Sequence, residues 1–257
     1  MKHILIAVTL AAASVAWAPA QPTIDQGVVE VQSRAQLVAN TGSWDILAEL
    51  HGGLYNPAES LAAYESVTVG TYYRVIPNLK VGALARLQAG VRHDNDVLPG
   101  GTAPDNFTWN DTSGRLEGVL MLDVSPRFQL GFLPTGNWVF MLKNRLEYNT
   151  FNGQASVMTR PELTWFWIRD RDPFLNLSLS WEIYFPLNFG STLIYQDYPY
   201  LSALWHAAPE VGIELSGAYR TTVWSTSAAW TAASLPGYSV AQQTWVVSLG
   251  VVYTPSF

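Results

Sequence analysis

The chain has 257 residues, 49% hydrophobic and only 13% charged, with eleven Trp, twelve Tyr and no Cys. Soluble domains carry about 25% charged residues, and small secreted folds often rely on disulfides, so an ordinary soluble or secreted domain is a poor fit. The net charge is −6, or −7 without residues 1–20, which argues against a nucleic-acid partner.

Lys2 and His3 precede an apolar run, Ile4 to Trp17, followed by Ala18-Pro19-Ala20. A basic start, an apolar core and a small-x-small site predict a signal peptide over 1–20, cleaved after Ala20. The run is shorter than the ~20 residues of a spanning helix, and no later stretch approaches that length. An uncleaved anchor is the other reading of this segment.

Val29 to Val38 alternates between apolar and polar residues. Counting it would make eleven strands, whereas bacterial single-chain barrels have an even number. Residues 21–43 are therefore expected to be an N-terminal segment, periplasmic or tucked into the lumen, with the barrel spanning 44–257.

From Trp44 onward, period-two alternation recurs, the signature of strands with one greasy face. Trp44, Ile46, Ala48, Leu50 and Leu54 oppose Asp45, Glu49 and His51. Val67, Val69, Thr71, Tyr73 and Val75 oppose Ser66, Thr68, Tyr72 and Arg74, and Pro77-Asn78 forms a tight turn. Leu79, Val81, Ala83, Ala85 and Leu87 then oppose Lys80, Arg86 and Gln88. Residues 93–114 read as a long polar loop.

Leu116, Gly118, Leu120, Leu122 and Val124 oppose Arg115, Glu117 and Asp123. Trp138, Phe140, Leu142, Leu146 and Tyr148 oppose Lys143, Arg145, Glu147 and Asn149. Val157 to Trp167 carries Arg160, Glu162 and Thr164 on its second face. Leu175 to Phe185 sets Leu and Trp against Asn176, Ser178, Ser180 and Glu182. Strands over 192–205, which alternates poorly, and 210–224 precede a loop at 225–239. In the closing strand Trp245, Val247, Leu249, Val251 and Tyr253 share one face.

If Phe257 ends in the periplasm, the long connections at 56–61, 93–114, 186–191 and 225–239 fall outside. The short ones at 76–78, 169–173 and 206–209 fall inside, as outer-membrane barrels require. The connection at 125–137 is the exception, inside but not short.

Charges on the second faces must avoid lipid, where Arg or Lys costs about 2–4 kcal/mol at the midplane. The expected lumen lining is Glu49, Arg74, Lys80, Arg86, Arg92, Arg115, Glu117, Lys143, Arg145, Glu147, Arg160, Glu162, Glu182, Glu214 and Arg220. These residues either fill a narrow interior with ion pairs or line a conducting pore. Trp44, Trp138, Trp165, Trp167, Trp181, Trp205, Trp224 and Trp245 lie near strand ends and read as aromatic belts, with a sugar-stacking platform as the second reading.

His93-Asp94-Asn95-Asp96 is the one cluster with catalytic potential at the outer rim. No His stands one residue before a Ser, and spacing alone supplies no base–nucleophile pair. Asp94, Asp96, Asp105 and Asp111 are alternatively oxygen ligands for a hard cation, or simply a solvated acidic loop. No phosphate loop, zinc spacing or dinucleotide motif is present, so no cofactor, metal or catalytic residue is assigned.

The segments Asn144-Arg145-Leu146-Glu147-Tyr148-Asn149, Arg160-Pro161-Glu162-Leu163-Thr164-Trp165 and Trp181-Glu182-Ile183-Tyr184-Phe185 resemble strands of uncharacterised bacterial outer-membrane barrel families. The terminal Phe257 resembles the end of their closing strand. The resemblance implies an all-β, antiparallel up-and-down transmembrane barrel of about ten strands, with twelve admissible, and no known substrate. The expected function is a narrow passive channel or structural barrel of the outer membrane. A lipid or peptide hydrolase with a rim site is the alternative. Expected partners are outer-membrane lipids, periplasmic chaperones and the barrel-assembly machinery.

Overall fold

In a computed structural model of the protein, residues 23–56, 62–91, 93–99, 107–112, 114–133, 137–226, 237 and 239–255 are described. The expected signal peptide, Arg92, Asp105 and Phe257 lie outside them. Among the described residues all regular elements are strands: β1 Thr23–Thr41, β2 Trp44–Asn56, β3 Ala62–Ile76, β4 Leu79–Ala89, β5 His93–Pro99, β6 Phe107–Asp111 and β7 Glu117–Gln129. The remainder are β8 Trp138–Asn149, β9 Ala155–Arg169, β10 Asp172–Pro186, β11 Gln196–Ala208, β12 Val211–Ser225 and β13 Ser239–Tyr253.

Eleven of these close a barrel. Sequential neighbours pair antiparallel, β4 passes over the β5–β6 hairpin to pair with β7, and β11 pairs with β12. The ring closes where β1 meets β13 in parallel, from Thr23↔Ala241 to Leu37↔Tyr253. A ring of purely antiparallel neighbours reverses direction at every step and needs an even count, so eleven strands force one parallel seam.

The expectation for 21–43 is thus corrected. Thr23–Thr41 is neither periplasmic nor tucked into the lumen but a wall strand, bonded to β13 on one edge and β2 on the other. Its alternation already met the requirement of a wall: Val29, Val31 and Leu37 are exposed on the outer face, while Glu30 is buried inside. The even-number rule misled because it assumes antiparallel closure throughout.

The outer face is apolar from strand to strand. Leu50, Val69, Leu87, Leu120, Leu179, Leu201, Leu215 and Leu249 are each more than half exposed. Near the rim where β13 finishes, here the C-terminal rim, Trp44 contacts Tyr73 at 4.8 Å and Trp165 contacts Trp167 at 6.5 Å, while Trp167 meets Phe174 edge-on at 5.3 Å. No helix among the described residues is long and apolar enough to cross a membrane.

Tight turns gather at the C-terminal rim. Between β9 and β10, Asp170 and Arg171 both take positive φ, 54° and 77°, as a two-residue type I′ hairpin turn requires. The opposite, loop-bearing rim carries the longer connections. There Gly90, at φ 79°, lets the chain leave the β4 wall and turn over the mouth.

Candidate functional site: a roofed polar lumen

The inner face encloses a cavity of about 1060 Å³, reaching from Asp94 and Asn95 at the loop-bearing rim to Phe166 and Leu204 deeper in the barrel. Eleven strands lie between the eight that side chains alone fill and the sixteen of open porins, so an interior that is part network and part space is expected.

Most of the charges within it are organised as local pairs, while Glu117 accepts from the amides of Gln88 and Asn149, each at 2.9 Å. Arg145 grips Asp123 with two hydrogen bonds, Nε to Oδ1 at 2.7 Å and Nη2 to Oδ2 at 2.9 Å. Lys143 reaches the same carboxylate at 3.0 Å, and the Tyr72 hydroxyl donates to it at 2.7 Å. Tyr72 lies over Gly82 on the neighbouring strand, where a Cβ would collide with the ring. Arg160 bridges Glu162 and Glu182, each at 3.3 Å. Arg86 pairs with Glu147 at 3.6 Å.

On the other side, β1 supplies the partners. Arg220 bonds Glu30, which also accepts Tyr64 Oη at 2.7 Å and Gln32 Nε2 at 2.6 Å. Arg34 bridges Glu214 and Glu49. Because β1 carries Glu30, its removal would take that carboxylate away from Arg220.

Of the residues expected to line the lumen, Glu49, Arg86, Glu117, Lys143, Arg145, Glu147, Arg160, Glu162, Glu182, Glu214 and Arg220 border the cavity. Lys80 pairs with Asp45, and both it and Arg74, its cross-strand neighbour, lie outside the cavity lining. Arg115 is a correction: it precedes β7, outside the alternating register, and is exposed with its guanidinium 4.9 Å from the Phe151 ring. Trp224 is a second correction, since it borders the cavity and does not belong to an aromatic belt. Glu30, Asp45 and Asp123 complete the ion pairs but were absent from the expected set. For Asp45 and Asp123, their place opposite apolar neighbours was the available signal.

Residues 93–114 are more than a solvated loop. From Gly90 the chain crosses the mouth, and β5 touches β12, pairing Asp96 with Ser225 in parallel. β12 stands five strands from β4 one way round the ring and six the other, which is the opposite wall. Asp96 accepts the backbone N–H of Gly190 at 2.9 Å and Gln154 Nε2 at 3.2 Å. Asn95 Nδ2 donates to Gln154 Oε1 at 3.1 Å. β6 returns antiparallel to β5, and Thr112 Oγ1 closes the base of the strap on Val91 O at 2.7 Å. Val97 is fully buried. The described part of the hairpin is a strap held at its base and at Asp96 across the lumen.

His51 borders the cavity, edge-on to Tyr64 at 5.5 Å, and His206 is within hydrogen-bond distance of Asn176, 3.0 Å between nitrogens. The His93 side chain and Asp105 lie outside the described residues. Among the described residues no three metal-ligating side chains gather. Searches of protein-family models, curated proteins and solved structures return no match for this chain.

Proposed function

We propose that this chain is an outer-membrane barrel whose lumen is a narrow passive channel for small polar solutes, restricted at one mouth by the β5–β6 strap. The observation that carries this reading is the 1060 Å³ polar cavity inside a wall with an apolar outer face. A barrel that only anchored loops would gain more from a dry, packed interior than from a hydrated one lined by ion pairs. The signal-peptide pattern and the aromatic-flanked closing strand support the compartment. Outer-membrane lipid is then the solvent of the wall, and periplasmic chaperones and the assembly machinery are its folding partners.

The test is single-channel recording in planar bilayers, comparing the full chain with a variant whose residues 92–113 are replaced by a short Gly/Ser linker. Both proteins are first shown to be folded by heat-modifiable gel migration. Discrete openings, larger without the strap, are expected. Silent bilayers from both folded proteins would overturn the channel reading.

A further inference from the structure

The aromatic side chains that border the cavity are not spread evenly. Phe189 meets Tyr195 edge-on at 5.0 Å, Tyr195 meets Tyr184 at 5.8 Å, and lower on β11 the rings of Tyr198 and Tyr200 lie 5.4 Å apart. All five border the cavity. Phe189 belongs to the β10–β11 connection, next to the Gly190 that holds the strap. At about 3.3 Å per residue, positions 195 to 200 cover roughly 17 Å of strand, or roughly 13 Å along the lumen at a tilt of about 40°. The rings therefore form a track from the roof towards the middle of the barrel.

Polar groups able to both donate and accept accompany the track. Arg160 Nη1 donates to Tyr200 Oη at 3.0 Å, and Tyr184 Oη donates to Glu182 Oε2 at 2.8 Å. Arg160 is shared between Glu162 and Glu182, and the two carboxylates also accept from Ser180 and Tyr184, so each charged group beside the rings is already bonded. The other cations bordering the cavity are likewise already bonded, Arg34 to Glu214 and Glu49, Arg86 to Glu147, Lys143 to Asp123, Arg145 to Asp123 and Glu147, and Arg220 to Glu30. An ionic solute entering here would have to compete with a partner already bonded in a low-dielectric wall.

Resting on the channel reading, we propose that the track binds and passes uncharged polyhydroxylated solutes, the saccharide class. Such a solute presents C–H faces to the rings and hydroxyls to the paired Arg160 and Glu182. The cavity lies at the top of the roughly 300–1,000 Å³ range of small-molecule sites, with room for a short oligosaccharide.

The experiment pairs calorimetric titration of the detergent-solubilised barrel with current block in bilayers, using maltotriose and cellotriose as α- and β-linked probes and gluconate as the anionic control. At least one trisaccharide is expected to bind and to block the current, while gluconate does neither. The combined Tyr198→Ala, Tyr200→Ala variant should weaken the trisaccharide by about tenfold, and Tyr200→Phe, which keeps the ring, by less. Binding by neither trisaccharide, tighter binding of gluconate, or equal binding after both rings are removed would overturn the proposal. A channel that conducts without any trisaccharide effect sinks the saccharide inference alone. Calorimetric binding with silent bilayers sinks the channel reading and leaves a lumenal binding site.

Discussion

Asp96, on the strap across the mouth, accepts the backbone N–H of Gly190 from the opposite wall at 2.9 Å. That bond, with Gln154 on the second carboxylate oxygen, anchors the strap where it meets the opposite wall, so the state of one carboxyl group bears on whether the lumen is roofed.

Burial raises the Asp96 carboxyl above its ordinary value, and the like charge of Asp94 adds to it, outweighing the hydrogen bonds from Gly190 and Gln154. Docking therefore favours the protonated form. Its contribution is fully present below the free value, about 4, and is lost as pH rises through the raised one. Channel open probability should accordingly fall on acidification across that window. Asp96→Asn should abolish the dependence, and an unchanged profile in this variant would assign it elsewhere.

Asp123 holds two cations and a phenol, Arg145 reaching Glu147 as well at 3.5 Å, and it is 1% exposed. Asp123→Ala would leave Arg145 and Lys143 without that partner, a loss of about 3–5 kcal/mol. Tyr72→Phe removes the bond to Asp123 and the longer one from Lys143, and should cost about 1–2 kcal/mol. Guanidinium unfolding in detergent, followed by Trp fluorescence, should rank the two variants in that order.

Leu249 and Ser248 are adjacent on the closing strand and point to opposite faces, Leu249 being 57% exposed. Leu249→Arg should destabilise the barrel in liposomes by about 2–4 kcal/mol. In detergent micelles, where the belt is thinner and adaptable, the cost should be smaller. Equal cost in both media would count against a lipid-facing wall.

Deleting residues 21–43 tests the parallel seam. β2 and β13 run in opposite directions and could in principle pair, but Arg220 would lose Glu30, and Glu214 and Glu49 would lose Arg34. The truncated chain should show no heat-modifiable band. A compact unboiled species would mean that ten strands suffice.

Much of the wall was legible because a barrel strand with one outer and one lumenal face takes a period of two. Tyr253 back to Trp245 emerge on the outer face as read, and the eleven charges from Glu49 to Arg220 border the cavity. What escaped was information that period two does not carry. Val29 to Val38 alternated well but was set aside on strand parity, and parity is a property of the whole ring. The 192–205 stretch alternated poorly because its inward residues include Tyr198 and Tyr200, which look lipid-facing in sequence yet border the cavity. The strap read as a loop because its Asp and Asn residues bond to Gly190 and Gln154, far away along the chain.

The central claim is that the lumen conducts and that the strap restricts it. The chain has no Cys, so Asp96→Cys with Ser225→Cys places a single reversible clamp across one rung of the β5–β12 pairing. Paired strands lie about 4.8 Å apart, within disulfide reach. In one bilayer, the oxidised protein should pass little current, and adding reductant should raise it, since reduction frees a strap that also lacks the Asp96 carboxylate. Current that is the same before and after reduction, with the disulfide confirmed by mass, would contradict the account.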